Sequence, residues 1–183
     1  MGCSIRFTRP TAQIYTAPMA TIIREVTTSD LEVVHGLNQS EVPHVGSVDL
    51  EQMRWYEEHA DYFRVLELDK RLAAFLVGFR PGSTYGSPNY RWFCGRYEEF
   101  AYVDRVAVAA FARRGGLASA LYDDFAATLP VSVPIMTCEV NIKPPNESSM
   151  TYHRRLGFAQ VGSLSSSDGD KEVAMLVKQL HQD

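Results

Sequence analysis

Two arginines and two glycines stand together in the middle of the chain, in the order Arg113-Arg114-Gly115-Gly116-Leu117-Ala118. Glycine has no Cβ, so the backbone N–H groups of this turn can approach one small object closely. A helix that begins at Gly116 adds unpaired N–H groups and the positive end of its dipole, which favours an anion such as a phosphate or pyrophosphate. The alternative is an ordinary strand-turn-helix in which the glycines only make a tight turn.

The turn is neither of the two common nucleotide-binding loops. No lysine and Ser/Thr pair follows the glycines, which excludes a P-loop, and the pattern G-x-G-x-x-G is absent. The pattern is instead Arg-x-x-Gly-x-Ala after Val106-Ala107-Val108. It resembles the acetyl-coenzyme A motif of the GNAT acetyltransferase superfamily, Gln/Arg-x-x-Gly-x-Gly/Ala, with Arg113, Gly116 and Ala118 in the three defined positions.

A second segment, residues 146–158, resembles the other signature of that family, N-x-x-A-x-x-x-Y-x-x-x-G-F. Ser149 replaces the small alanine, and His153 stands where the family usually has tyrosine. The distance between the two motifs suits an intervening helix and strand. Together with the order of strands and helices, the resemblance covers roughly residues 21–178.

The resemblance implies an α/β fold of the α+β type, the GNAT fold. Its central sheet is mixed and mostly antiparallel, has about seven strands and carries helices on both faces. Two neighbouring parallel strands splay apart, and the pantetheine arm of acetyl-coenzyme A inserts between them. By resemblance these are the strands that end near Val108 and Asn141.

The resemblance also implies which residues hold the cofactor. Val106 and Val108 would offer backbone groups to the pantetheine, while Gly116 and Ala118 must be small because phosphate oxygens lie against the backbone. For the two arginines a solvated basic turn is the alternative to phosphate contact. The implied cofactor-binding residues are Val106, Ala107, Val108, Arg113, Arg114, Gly115, Gly116, Leu117, Ala118, Asn146 and Ser149.

Direct acetyl transfer to an amine requires a neutral nitrogen, a stabilised oxyanion and a proton for the departing thiolate. In the family the backbone N–H near Val106 usually stabilises the oxyanion. Asp104 shares one strand face with Tyr102 and precedes the presumed splay point, so it is the predicted base. An internal ion pair between Asp104 and an arginine is the alternative, and Glu139 on the adjoining strand is the reserve base.

The predicted acid is His153, because its ordinary pKa near 6.5 allows it to donate a proton around neutrality. Tyr152, one residue earlier, faces about 100° away on the helix and would substitute only if the helix is rotated. Protonation of the thiolate by solvent, with no role for His153, stays open.

The acceptor site is the part that the sequence describes least. In the family the region between the first and second helices lines it, although here a polar surface loop is an equal alternative. Residues 81–97 form a long connection rich in aromatic residues and are predicted to be a flap on the acceptor side, or else a cover for the open end of the sheet. The predicted acceptor residues are Asn38, Glu41, His44, Tyr90, Trp92 and Glu139.

Composition limits the partners. With 183 residues, 45% apolar and 22% charged, the chain suits one globular domain. A net charge of −4 disfavours nucleic acid, and no apolar run approaches the ~20 residues that span a bilayer. Three cysteines without C-x-x-C spacing indicate neither disulfides nor a metal site and favour a reducing cytoplasm.

The hydrophobic pattern supplies the elements that must position these residues. Residues 1–18 have no helical or strand period and are predicted to be a flexible arm, and residues 19–183 to form one acetyltransferase domain. Predicted strands cover residues 21–27, 62–68, 72–79, 102–108, 134–141, 158–164 and 172–178. Predicted helices follow Asp30, run from about 49 to 59 and from 116 to 128, and start again at Asn146.

These observations predict an acetyl-coenzyme A-dependent N-acetyltransferase that acts directly on a primary amine of a small molecule, amino acid derivative or peptide. The alternative is a non-catalytic acyl-coenzyme A sensor with the same fold. Terminal strands of such folds often mediate dimers, so a homodimer is also an expectation.

Overall fold

The computed structural model describes residues 20–167 and 169–181, so the predicted arm of residues 1–18 lies outside the described residues. In the described part a seven-stranded sheet carries α-helices on both faces. The strands are β1 (Thr21–Glu25), β2 (Tyr62–Leu68), β3 (Arg71–Phe79), β4 (Ala101–Val108), β5 (Ile135–Lys143), β6 (Ala159–Ser165) and β7 (Glu172–Gln179). The helices are α1 (Leu31–Ser40), α2 (Leu50–His59), α3 (Pro88–Cys94), α4 (Leu117–Thr128) and α5 (Glu147–Arg155).

The strand order β1-β2-β3-β4-β5-β7-β6 confirms the predicted mixed sheet. Every neighbouring pair is antiparallel except β4 and β5, which are parallel. These two strands pair only where residues 101–103 meet residues 136–138, although β4 continues to Val108 and β5 to Lys143. The predicted splayed pair is therefore present, and Asp104 and Glu139 are the first residues beyond the paired part.

The core lies on both sides of the sheet, and each side is closed by its own helices. Helices α1, α2 and α3 cover one face, where Tyr56, Phe75 and Phe93 are buried together. Helix α4 covers the other face with Leu121 and Phe125. A Cβ at Gly78 of β3 would collide with the Phe125 ring, so only glycine allows this close approach of α4 to the sheet.

The segment predicted to be an acceptor-side flap, or else a cover for the open end of the sheet, contains a short helix. Helix α3 begins after Ser87, whose side chain accepts a hydrogen bond from the Tyr90 N–H, and Pro88 occupies its first turn. Tyr90 and Phe93 are buried on its inner face. The aromatic residues of the segment therefore cover the sheet, as the alternative interpretation expected.

Candidate active site

An open groove of about 700 Å³ runs along the end of β4, the arginine-glycine turn and the first turns of α4 and α5. Ten of the eleven predicted cofactor residues line it: Val106, Ala107, Val108, Arg113, Arg114, Gly116, Leu117, Ala118, Asn146 and Ser149. Arg155, which the sequence analysis did not single out, lines it as well. Three arginines therefore surround this groove, which suits an anionic ligand.

The conformation of the turn depends on its glycines. Gly116 has a φ of +76° and precedes α4, so the left-handed backbone lies where the helix begins. Gly115 does not line the groove, but a Cβ there would lie 3.2 Å from the carbonyl oxygen of Ala112. A side chain at Gly115 would therefore press against Ala112, whereas the space beside Gly116 is open and belongs to the groove.

Glu41, predicted to contact the acceptor, lines this groove. Its carboxylate forms an ion pair with the Arg113 guanidinium. The Arg113 side chain is 53% exposed and the Glu41 side chain 16% exposed, so water screens the pair only in part. The ion pair therefore engages Arg113, which is the first defined residue of the turn motif.

A second, smaller cavity of about 100 Å³ opens between the splayed ends of β4 and β5. It adjoins the groove, since both are lined by His44, Val45, Val106, Asn146, Ser149 and His153. Asp104 and Glu139, the two carboxylates at the splay point, line only the smaller cavity. The groove and the cavity together form one path from the arginine-glycine turn to a pair of carboxylates.

Asp104 is held as half of an internal ion pair, the alternative that the sequence left open. Arg105 Nε donates to its Oδ2 at 2.7 Å, and Tyr85 Oη donates to its Oδ1 at 2.6 Å. The Asp104 side chain is only 4% exposed. Both oxygens are therefore already engaged, which limits what Asp104 can take from a substrate.

Glu139 is hydrogen-bonded, and within residues 20–167 and 169–181 no Lys, Arg or His forms an ion pair with it. Tyr102 Oη donates to its Oε2 and Asn89 Nδ2 to its Oε1, each at 2.8 Å. Burial and the nearby charge of Asp104 raise the pKa of Glu139 to about 7, against the opposing effect of the two donors. A carboxyl group with such a pKa can accept and release a proton near neutrality.

Asn38, one of the predicted acceptor residues, is hydrogen-bonded to Arg105. Arg105 Nη1 donates to Asn38 Oδ1 at 3.0 Å and to the carbonyl oxygen of Gly46 at 3.2 Å. Asn38 is fully buried, and among the described residues it lines neither the groove nor the cavity. Asn38 therefore stabilises the loop between α1 and α2. His44, in the same loop, lines both the groove and the small cavity.

His153 is buried at the base of α5, and both of its ring nitrogens are engaged. Nδ1 lies 2.8 Å from the Ser149 carbonyl oxygen, which can only accept, so Nδ1 carries the proton. Nε2 then accepts from Tyr122 Oη at 2.8 Å. Burial lowers the pKa of His153, which favours this neutral form. In this arrangement His153 has no free proton to donate toward the groove.

Tyr152 lies in the groove, beside the start of α4. Its Oη is 3.2 Å from Ser119 Oγ, and burial raises the pKa of Tyr152, so the phenol stays protonated at neutral pH. The orientation of α5 thus presents Tyr152 to the groove.

The two aromatic residues predicted to contact the acceptor, Tyr90 and Trp92, have partners within the protein. Tyr90 Oη donates to the carbonyl oxygen of Arg80 at 2.7 Å. Trp92 lies under the guanidinium of Arg96, 3.7 Å from its ring centroid, and its ring would lie 2.7 Å from a Cβ at Gly162. Neither residue lines the groove or the cavity. Asn89, in contrast, contacts Glu139, although an isolated amide in the sequence carries no signal of such a role.

Two further findings hold for residues 20–167 and 169–181. No helix in this part is long and apolar enough to cross a membrane. The same residues contain no group of three or more His, Cys, Asp or Glu side chains that is placed to hold a metal ion.

Residues 31–158 match the model of the Acetyltransferase (GNAT) family. A similar solved structure is Ard1 from Thermoplasma volcanium, which is 19% identical, with a TM-score of 0.71 over 89% of this chain and 99% of that one. The ribosomal-protein-S18-alanine N-acetyltransferase from Escherichia coli is 16% identical, with a TM-score of 0.64 over 90% of this chain and 96% of that one. Naa20 from Chaetomium thermophilum, solved with a bisubstrate analogue, is 17% identical, with a TM-score of 0.67 over 86% of each chain. No curated protein matches the sequence significantly.

The structural likeness shows the fold, and the family match spans well over half of the chain. The match includes the arginine-glycine turn and ends at Phe158, the last residue of the second motif. The chain therefore belongs to the GNAT acetyltransferase family.

Proposed function

We propose that the protein is an acetyl-coenzyme A-dependent N-acetyltransferase that transfers an acetyl group directly to a primary amine of a small molecule, amino acid derivative or peptide. The observation that carries this proposal is the path from the arginine-lined groove to the carboxylates at the splay point. One similar structure is itself named as an N-acetyltransferase of a ribosomal protein, which supports an amine acceptor.

The groove fits the donor. Acetyl-coenzyme A supplies the acetyl group as a thioester. Arg113, Arg114 and Arg155 would meet its phosphates, together with the amides at the start of α4. Beyond Val103 the edge of β4 that faces β5 has no strand partner, so its backbone groups are available to an extended amide-containing arm.

Glu139 is the proposed base. It lines the small cavity, its pKa is near neutrality, and the two groups that hydrogen-bond to it, Tyr102 and Asn89, are neutral. In the proposed reaction it takes a proton from the acceptor amine, directly or through water. Asp104 is not given this role, because Arg105 and Tyr85 already engage both of its oxygens.

Tyr152 is the proposed acid. Its protonated phenol faces the groove, whereas the His153 ring is engaged by Tyr122 and Ser149. The Tyr152 hydroxyl would donate its proton to the departing sulfur.

The second candidate function is the acyl-coenzyme A sensor. The engaged state of His153, at the family's tyrosine position, favours it because the usual acid is missing there. The two functions differ in one observable result. The enzyme releases coenzyme A thiol when an amine is added, and the sensor binds the cofactor without turnover.

The proposal is tested by calorimetric titration of acetyl-coenzyme A into the wild-type protein and a Gly116→Glu variant at fixed salt. The variant places a carboxylate beside the expected phosphates and forces a side chain into left-handed backbone, which costs about 1–2 kcal/mol. We expect at least ~100-fold weaker binding. Gly36→Glu is the matched control, because Gly36 is exposed on α1 and a Cβ there meets nothing within 4 Å. No binding by the wild-type protein would refute the proposal.

A second variant tests the ion pair in the groove. Glu41→Gln removes the carboxylate that occupies Arg113, so the guanidinium becomes free for a phosphate. We expect acetyl-coenzyme A to bind about two- to fivefold more tightly, since partly exposed ion pairs contribute up to about 1 kcal/mol. Glu32→Gln, on the exposed side of α1, should leave the affinity unchanged. Equal or weaker binding by Glu41→Gln would show that the pair does not compete with the cofactor.

A further inference from the structure

The connection between β3 and β4 is longer than the sheet requires. The two strands are antiparallel neighbours, and such strands can be joined by a turn of two to five residues. Here residues 80–100 make the connection and include α3. Long ordered connections in compact domains are often functional, so this segment needs an explanation beyond chain reversal.

Residues 80–100 are fixed firmly to the sheet. Tyr90 and Phe93 are buried, and their rings lie 5.6 Å and 5.9 Å from the ring of Tyr102 on β4. Tyr90 Oη donates to the carbonyl oxygen of Arg80, which closes the segment on itself. Side chains that leave the segment toward the cavity therefore start from a rigid base.

Two such side chains reach the two carboxylates at the splay point. Tyr85 Oη donates to Asp104 Oδ1 at 2.6 Å, and Asn89 Nδ2 donates to Glu139 Oε1 at 2.8 Å. The remaining oxygen of each carboxylate receives a donor from β4, Arg105 and Tyr102 respectively. Each carboxylate is thus held between a side chain of β4 and a side chain of residues 80–100.

We propose that residues 80–100 are part of the catalytic site and that Asn89 is a positioning residue, which orients the Glu139 carboxylate and favours its ionised form. This inference rests on the proposed function, in which Glu139 is the base. The Asn89 amide donates through Nδ2 and carries no charge, so it stabilises the carboxylate without neutralising it. A lysine or arginine at that position would lower the basicity of Glu139 much further.

The surroundings of Glu139 determine how it titrates. Burial and Asp104 favour the neutral acid, whereas Tyr102, Asn89 and Lys171 favour the carboxylate. The other titratable groups that line the same cavity are His44, Arg105, Tyr122, Cys138 and His153. Among the groups that favour the Glu139 carboxylate, Asn89 is the one that comes from residues 80–100, and it contacts Glu139 directly. Removal of its amide therefore shifts the protonation equilibrium of Glu139 toward the neutral acid.

The test compares Asn89→Leu and Asn89→Asp with Arg91→Ala, an exposed change on the same helix. The midpoint for Glu139 is measured by carbon-13 NMR of the side-chain carboxyl, assigned with Glu139→Gln. The pH profile of kcat/KM is measured by thiol release. We expect the midpoint and the acid limb to move up by about one unit in Asn89→Leu, because one hydrogen bond to a charged group is lost. Asn89→Asp should move both further, since it adds a second negative charge.

The two readouts separate the possible failures. With a midpoint near 7 in the wild-type protein, a shift of one unit lowers the rate at pH 7 about fivefold and restores it at pH 9. A fall in kcat that is equal at every pH, or an unchanged Glu139 midpoint, would overturn the role of Asn89. The absence of thiol release from the wild-type protein would overturn the proposed function, while the NMR midpoint still decides whether Asn89 controls Glu139.

Discussion

Replacement of Glu139 by glutamine is expected to lower kcat by about 10²–10⁴-fold, the range typical for loss of a general base. The substitution keeps the size and shape of the side chain, so Tyr102 and Asn89 retain a partner at that position. It removes the proposed acceptor of the amine proton. Steady-state kinetics with thiol-release detection would measure the effect, and KM for acetyl-coenzyme A should change little because Glu139 does not line the groove.

The pH dependence provides a check on the same residue. The pKa of Glu139 is raised to about 7, so the wild-type rate should rise as the pH increases through 7 and the carboxyl loses its proton. Glu139→Gln should lack this limb, and Glu58→Gln, an exposed substitution, should keep it. A wild-type kcat in Glu139→Gln would exclude Glu139 as the base, and a larger loss in Asp104→Asn would assign that role to Asp104.

Replacement of Arg105 by methionine is expected to reduce the free energy of unfolding by about 3–5 kcal/mol, the cost of removing one partner from a buried ion pair. Methionine retains the apolar stem of the side chain. The loss leaves the Asp104 carboxylate, 4% exposed, without its cation and leaves Asn38 Oδ1 without its donor, while the Gly46 carbonyl keeps only its bond from Asn38 Nδ2. Urea denaturation at neutral pH, analysed by linear extrapolation, measures the change.

The double variant Asp104→Asn/Arg105→Met separates the ion pair from other effects. It removes both charges, and replacement of both partners usually costs far less than the loss of one. We expect it to recover at least half of the stability that Arg105→Met loses. If Arg105→Met alone costs less than about 1 kcal/mol, Arg105 does not have the supporting role that its contacts indicate.

The sequence predicts the sheet and the groove because their signals are local. The arginine-glycine turn lies in six consecutive residues, and the second motif lies on one helix and its end. Strand and helix boundaries follow from apolar periodicity, so most of them agree with the structure within two residues. These features need no knowledge of how distant segments meet.

Helix α3 shows where this reasoning fails. Its sequence contains the signal of a helix start, Ser87 followed by Pro88, but the surrounding glycines and prolines indicate an irregular loop. A helix this short is not stable by its own propensity. It forms because Tyr90 and Phe93 are buried against the sheet, and that contact is tertiary.

The supports of the two carboxylates could not be predicted for a related reason. Asn89 and Glu139 are 50 residues apart, and Asn38 and Arg105 are 67 residues apart. Each pair depends on the final arrangement of the sheet and its helices. The sequence shows that histidine stands at position 153, where the family usually has tyrosine. It does not show that Tyr122 donates a hydrogen bond to the His153 ring.

Because β4 and β5 pair over only three residues of each strand, the sheet consists of two halves that are joined by a short contact. Strands β1 to β4 form one half and β5 to β7 the other, and beyond residues 101–103 no ladder of hydrogen bonds joins them. A ligand that lies between β4 and β5 and hydrogen-bonds to the edges of both strands would join the two halves of the sheet. Acetyl-coenzyme A bound as proposed would connect the two halves of the sheet as well as supply the acetyl group, and its binding energy would add to the stability of the folded state.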